Sequence, residues 1–122
     1  MTDGQTTLAE LRALVAEFVA ERDWQKFHDA KNLAMAIAVE AAELMEHFQW
    51  ARSDELPDLT SQAETRRGAE EEIADVMCFL LALCNALDVD LSAAVERKMG
   101  KNRAKYPSED YRGRYFKPKP EA

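Results

Sequence analysis

The chain has 122 residues, of which 47% are hydrophobic and 32% charged, with only four glycines and four prolines. This composition is typical of a compact helical protein and excludes a disordered chain. The formal net charge of −7 argues against nucleic acid as a partner. No apolar run approaches the ~20 residues that a membrane-spanning helix needs. The polar N-terminus lacks a signal-peptide pattern. Both cysteines fall on one predicted helix, so we expect a reduced cytoplasmic protein.

Helical periodicity predicts four helices and no strand. The first helix opens with a capping box formed by Thr7 and Glu10. The second is capped by Asp29 or Asn32 and the fourth by Asp90 or Ser92. The predicted helices cover residues 8–21, about 30–51, about 62–87 with a possible break near Gly68, and about 91–105.

The connections are predicted from turn residues and from composition. Residues 22–29 lack periodicity, and residues 52–61 are polar and contain Pro57, so both are expected to be loops. Pro107 ends the last helix because the residue before proline disfavours the α conformation. We therefore expect one all-α domain, a small four-helix bundle over residues 1–107, followed by an irregular basic tail over residues 108–122.

The second predicted helix carries acidic residues in its apolar face. At about 100° per residue, one apolar stripe is formed by Leu33, Ile37, Leu44 and Phe48. Glu40 falls within this stripe and Glu43 falls on its shoulder, where i and i+3 side chains meet. A carboxylate in that position is costly unless a cation meets it.

The third predicted helix repeats this pattern. Its apolar stripe is formed by Ile73, Val76, Phe79, Leu80, Leu83 and Leu87. Glu72 falls within the stripe and Asp75 on its shoulder, whereas Glu70 and Glu71 point elsewhere. If the two helices are neighbours, four carboxylates converge, and they must then bind protons or cations.

Oxygen ligands alone favour Mg²⁺, which commonly also meets substrate phosphates. A di-iron site fits less well because such sites use Glu-x-x-His, whereas the i+3 partners here are Glu43 and Asp75. The alternative to any metal is that the acidic residues are surface groups in salt bridges.

Other polar and aromatic residues are candidate ligand-binding groups. Lys98 and Asn102 lie within the apolar stripe of the fourth helix, where the lysine can pair with a carboxylate or reach a phosphate. A lysine with a solvated tip is the alternative. Trp24 and His28 precede the second helix, and Trp50 lies on it, on the side of Glu43. Their rings can stack on a nucleobase or simply belong to the core.

These residues together resemble the MazG-like superfamily of all-α nucleotide pyrophosphohydrolases, and above all its dCTP pyrophosphatase branch. The motifs that carry the resemblance are Glu40-Ala-Ala-Glu43 and Glu72-Ile-Ala-Asp75, Glu21-Arg22-Asp23-Trp24, Phe27-His28, Lys31-Asn32-Leu33, Phe48-Gln49-Trp50, and Lys98-Met99 followed by Asn102-Arg103 and Tyr106-Pro107. The resemblance covers about residues 11–106.

The resemblance implies that a nucleoside triphosphate is cleaved between its α and β phosphates, with Mg²⁺ held by Glu40, Glu43, Glu72 and Asp75. By the same match, the residues that contact phosphates or sugar are Lys98, Asn102, Arg103 and Tyr106, and those that line the nucleoside pocket are Trp24, His28, Asn32 and Trp50. It also implies a homo-oligomer, commonly a tetramer built from dimers, with sites shared between subunits. A second apolar face on the third helix, formed by Met77, Leu81 and Cys84, independently indicates an oligomer.

Three positions depart from the family pattern: Val39 stands where many members have a second adjacent glutamate, and Val15 and Phe79 replace a histidine and a tyrosine of the animal dCTP pyrophosphatases. The expected activity is Mg²⁺-dependent pyrophosphohydrolysis of dCTP or modified cytosine deoxynucleotides in nucleotide-pool housecleaning. The alternatives are the same chemistry on other or many nucleoside triphosphates, and a non-catalytic helical oligomer that binds metal.

Overall fold

The computed structural model describes residues 1–116, 119 and 120, and the regular secondary structure of this part of the chain is all helical, without a strand. The α-helices, numbered in chain order, are α1 (Leu8–Glu21), α2 (Ala30–Glu46), α3 (Leu56–Ser61), α4 (Ala63–Leu87), α5 (Leu91–Lys105) and α6 (Ser108–Tyr111), and a 3-10 helix covers Gln25–Phe27. The long helices α1, α2, α4 and α5 confirm the four predicted from periodicity. No single described helix has the length and apolarity to cross a membrane.

Side-chain caps fix the starts of α1, α2 and α5. Thr7, Asp29 and Asp90 each accept a hydrogen bond from the backbone N–H three residues on, at 3.1, 2.8 and 3.0 Å. Glu10 closes the capping box by accepting from the Thr7 N–H at 2.7 Å. An aspartate is therefore the cap at both positions where two candidates were predicted, and its short carboxylate satisfies a backbone donor that the helix leaves free.

Three short segments differ from the expectation. α2 ends at Glu46 rather than near Ala51, because the next N–H groups bond to carbonyls three residues back, as from Phe48 to Met45 at 3.0 Å. The predicted loop 52–61 contains α3, in which Pro57 occupies the first turn, where its missing N–H costs nothing. The predicted irregular tail contains α6, and the part of that prediction that falls on residues 117, 118, 121 and 122 lies outside the described residues.

Gly68 does not break α4, which is continuous from Ala63 to Leu87. A Cβ atom at Gly68 would lie 2.5 Å from Cε1 of His47. The glycine therefore allows the imidazole that follows α2 to approach the backbone of α4 closely.

The chain divides into two compact units, Met1–Asp88 and Val89–Ala122. In the first unit, α4 is the central helix and packs mainly on α2, and also on α1 and α3. Asp88, in the left-handed conformation with φ 53°, ends α4. In the second unit, α5 and α6 are joined by an edge-to-face contact of Tyr106 and Tyr111, with ring centroids 5.2 Å apart. The predicted domain limit at residue 107 stays a prediction.

The two apolar faces of α4 are only partly covered as predicted: Val76, Phe79 and Leu83 of the predicted core stripe are half-buried, but the rest of the stripe is exposed. Leu81 is only 2% exposed and Cys84 is also buried within the chain, so the face expected to need a partner subunit is covered internally. Ile73, Leu80 and Leu87, expected in the core, are 55%, 38% and 55% exposed. Apolar periodicity alone could not say which face is covered, because the central helix packs on several different neighbours.

Candidate metal and nucleotide site

The packing of α2 on α4 brings carboxylates from both helices together. Glu40, Glu43 and Glu72 each offer one oxygen, and these three oxygens lie within 4.8 Å of one another. Residues at i and i+3 supply two of them from α2, and α4 supplies the third across the helix interface. An arrangement of converging carboxylate oxygens is the donor set that Mg²⁺ and Ca²⁺ prefer.

Glu40, Glu43 and Glu72 are called the carboxylate cluster below. Two oxygens of the carboxylate cluster lack the hydrogen bonds that buried acceptors normally have. Oε2 of Glu40 and Oε2 of Glu72 are buried and have no hydrogen-bond partner among the described residues. None of the ion pairs in the described part of the chain involves the cluster, whereas the neighbouring Glu70 pairs with Arg66 at 3.2 Å. Buried acceptors without donors are costly, so the cluster fits a bound cation better than a set of surface salt bridges.

The surroundings of Glu40 within the cluster raise its pKa. The pKa of Glu40 is raised from 4.5 to about 7, first because Glu40, once protonated, can hydrogen-bond to Glu43, and then by desolvation and by the same possibility towards Glu72. The charges of Glu43 and Asp75 raise this pKa further. Without a cation the cluster therefore holds a proton near neutral pH, and a cation would displace it.

Asp75 stands apart from the other three predicted ligands. It lies one turn beyond Glu72 on α4 and is close enough for its charge to raise the pKa of Glu40, but its oxygens are not part of the cluster. Its place in a metal site stays a prediction. Its charge, after burial, also raises the pKa of the Cys78 thiol, which disfavours the thiolate that a nucleophilic cysteine needs.

The four residues predicted to line a nucleoside pocket lie in different surroundings. Trp24 packs edge-on against Phe18 with ring centroids 5.8 Å apart. Asn32 donates from Nδ2 to the Phe27 carbonyl at 3.1 Å, and so holds the turn before α2. Trp50 lies beyond the end of α2 and is 88% exposed.

His28, the fourth of these residues, lines a cavity of about 340 Å³ between α1, the 3-10 segment and the end of α4. The residues around this cavity are Val15, Ala16, Val19, Gln25, His28, Ala82, Asn85 and Ala86. Reasoning from the sequence singled out Val15 and His28 but not Gln25 or Asn85. Their role depends on which side chains the packing of α1 against α4 leaves beside a void, and no spacing pattern indicates that.

The predicted phosphate- and sugar-binding residues all belong to the second unit. Lys98 and Arg103 are exposed on α5, and Asn102 is half-buried with Nδ2 3.9 Å from Sδ of Met99. Tyr106 ends α5 and packs on Tyr111. Their part in the site stays a prediction.

A family model described as MazG-like matches residues 35–115. Among curated proteins, the dCTP pyrophosphatase 1 of Rattus norvegicus is 43% identical over 109 residues, which are 89% of this chain and 64% of the rat protein. The human dCTP pyrophosphatase 1 is 42% identical over 104 residues, which are 85% of this chain and 61% of the human protein. The chain thus spans somewhat less than two thirds of the length of these relatives.

A solved structure shares both fold and sequence with this chain. The crystal structure of a pyrophosphatase from Archaeoglobus fulgidus has a TM-score of 0.78 and 42% sequence identity. The match covers 88% of this chain and 98% of that one. At this identity the likeness extends beyond the helical architecture to the residues that the helices carry.

Proposed function

The chain belongs to the MazG-like family, and from that premise we propose that it is a Mg²⁺-dependent nucleoside triphosphate pyrophosphohydrolase. The substrate proposed is dCTP or a modified cytosine deoxynucleotide, cleaved between the α and β phosphates to the monophosphate and pyrophosphate in nucleotide-pool housecleaning. The observation that carries the proposal is the carboxylate cluster with its two buried, unpartnered oxygens. The similarity to proteins named as dCTP pyrophosphatases supports the choice of substrate.

The proposed metal ligands are Glu40, Glu43, Glu72 and Asp75. A bound divalent cation supplies charge neutralisation of the phosphates and acidifies coordinated water. The chain's own contribution is to place the acidic groups side by side through the packing of α2 on α4. Because Glu40 carries a proton near neutral pH without the cation, its ionisation is coupled to cation binding.

The remaining predicted site residues are proposed to bind the nucleotide. The proposed phosphate and sugar contacts are Lys98, Asn102, Arg103 and Tyr106, and the proposed nucleoside contacts are Trp24, His28, Asn32 and Trp50. The positive charges of α5 are suited to the phosphates of a nucleoside triphosphate.

We further propose a homo-oligomer, a dimer or a tetramer built from dimers. The support is the apolar stripe of α4, defined as Ile73, Leu80 and Leu87, which repeats every seven residues and is left exposed by the rest of its unit. A cytoplasmic location is also proposed, since both cysteines are free thiols.

Product identity tests the proposed reaction. Phosphorus NMR of a dCTP digest with Mg²⁺ should show dCMP and pyrophosphate, because attack at the α phosphorus releases the two outer phosphates together. Formation of dCDP and phosphate would contradict the proposed bond cleavage. A screen of the other nucleoside triphosphates with pyrophosphate readout separates a cytosine preference from the broad-substrate alternative. Cleavage of none of them would favour a non-catalytic metal-binding oligomer.

A further inference from the structure

The 340 Å³ cavity in the first unit is mostly apolar but is not a featureless void. Its apolar wall is formed by Val15, Ala16, Val19, Ala82 and Ala86. Three polar side chains complete the lining: Gln25, His28 and Asn85. A concave apolar site with a few polar groups is typical of a small-molecule site, in which the polar groups set specificity.

The amide of Asn85 is already engaged in holding α1 against α4. Its Oδ1 accepts from Nε of Arg12 at 3.0 Å, and its Nδ2 donates to the Arg12 carbonyl at 3.1 Å. Nη2 of Arg12 also donates to the Cys84 carbonyl at 3.1 Å. These hydrogen bonds tie the two cavity walls together and occupy one donor and one acceptor site of the Asn85 amide.

Gln25 and His28 differ from Asn85 in this respect. Within the described residues, neither of their side chains takes part in a hydrogen bond, although the backbone N–H of His28 donates to the Gln25 carbonyl at 3.1 Å. The 3-10 turn thus places both at one edge of the cavity, with their polar side-chain groups available to a ligand.

The cavity lies along the face of α4 that carries Asp75. Ala82 and Ala86 follow Asp75 by seven and eleven residues, so all three share one side of the helix. Seven residues correspond to a rise of about 10 Å. A nucleotide whose phosphates lie at the acidic groups can extend along this face and place its base in the cavity.

On these observations we propose that Gln25 is a specificity-determining residue that contacts the edge of a pyrimidine base held in this cavity. A glutamine amide has one acceptor and two donor sites and can turn over. In one orientation its oxygen accepts from the N4 amino group of cytosine, and in the other its NH₂ donates to O4 of thymine or uracil. The site therefore admits both cytosine and thymine deoxynucleotides, with dCTP as one substrate of several. This inference rests on the proposed function.

Substitution of Gln25 by an acceptor-only side chain tests this assignment. In the parent protein we expect kcat/KM for dCTP and dTTP to agree within about tenfold. Gln25→Glu should raise the dCTP-to-dTTP ratio by at least about tenfold, because a carboxylate accepts from N4 of cytosine but cannot donate to O4 of thymine. Gln25→Leu should lower kcat/KM for both substrates and leave their ratio near that of the parent.

The matched control is Gln5→Glu, which makes the same chemical change on the exposed N-terminal segment, where the Thr2 hydroxyl donates to the Gln5 side-chain oxygen. It should leave the ratio unchanged. A Gln25→Glu protein with the ratio of Gln5→Glu, and with unaltered circular dichroism, would overturn the assignment.

Binding of dCMP and dTMP without metal separates this inference from the proposed function. Calorimetry should show that Gln25→Leu weakens both nucleotides and that Gln25→Glu weakens only dTMP. If the parent protein hydrolyses no triphosphate but these binding changes occur, the proposed reaction is wrong and the base site stands. If hydrolysis occurs and neither the ratio nor the binding responds to Gln25, the base site is wrong and the proposed reaction stands.

Discussion

At the scale of single residues, Glu40 is the group whose protonation the surrounding structure shifts most clearly. Its pKa of about 7 in the folded protein exceeds its ordinary value of 4.5 because other carboxylates surround it. Between these two values the folded state binds more protons than the unfolded state. Stability of the metal-free protein therefore falls as the pH rises from 4.5 to 7, and changes no further through this group above that range.

The raised pKa of Glu40 predicts how the pH changes the affinity of the protein for Mg²⁺. Mg²⁺ affinity should fall as the pH is lowered below 7, by up to about tenfold per pH unit, because a proton competes for Glu40. Isothermal calorimetry at pH 6 and pH 8 measures the change in Mg²⁺ affinity.

Glu40→Gln should remove the loss of thermal stability of the metal-free protein between pH 5 and pH 7. An unaltered melting-temperature profile in that variant would contradict the shifted pKa.

How far single residues could be predicted from the sequence depends on whether the signal was local. Glu40, Glu43 and Glu72 were identified because a charge in an apolar stripe is visible in the helical period. The hydrogen bond from Asn32 to the Phe27 carbonyl, which holds the turn before α2, could not be predicted because it depends on the local backbone path. Gln25 could not be found because the cavity beside it arises only when α1 packs on α4.

At the scale of helices, Gly68 and His47 form a contact that lets the end of α2 meet α4. In a His47→Ala background, Gly68→Ala should stabilise the protein by about 1 kcal/mol, because alanine is the better helix former. In the parent the same substitution should give less stabilisation or a loss, since the new methyl group meets the imidazole. Urea denaturation of the four proteins of this double-mutant cycle measures the difference. Equal effects in both backgrounds would show that the contact is unimportant.

The positions of the four long helices could be predicted from hydrophobic periodicity, whereas some helix boundaries and the buried face of α4 could not. The capping residues are local signals, and they located the starts of α1, α2 and α5. Pro57 was interpreted as a loop residue, although proline is also favoured in a first turn. The buried face of α4 could not be chosen from its sequence, because Leu80 and Leu81 are equally apolar and only the positions of neighbouring helices decide which is covered.

At the scale of the whole molecule, the exposed stripe of Ile73, Leu80 and Leu87 predicts assembly. Leu80→Lys should reduce the molar mass measured by light scattering after gel filtration, because a charge in an apolar interface is costly. Ala74→Lys, an equal charge at an exposed position elsewhere on α4, should leave the mass unchanged. A parent protein that is monomeric at micromolar concentration would contradict the proposed oligomer.

The most direct test of the carboxylate cluster is Mg²⁺-dependent pyrophosphate release from dCTP by two neighbouring isosteric variants. Glu72→Gln removes one charge from the cluster, whereas Glu71→Gln removes an equal charge from the adjacent exposed position. We predict that release requires Mg²⁺, falls at least about 100-fold in Glu72→Gln, and stays near the parent rate in Glu71→Gln. Equal rates for the two variants, or release that persists without a divalent cation, would contradict a metal site at Glu40, Glu43 and Glu72.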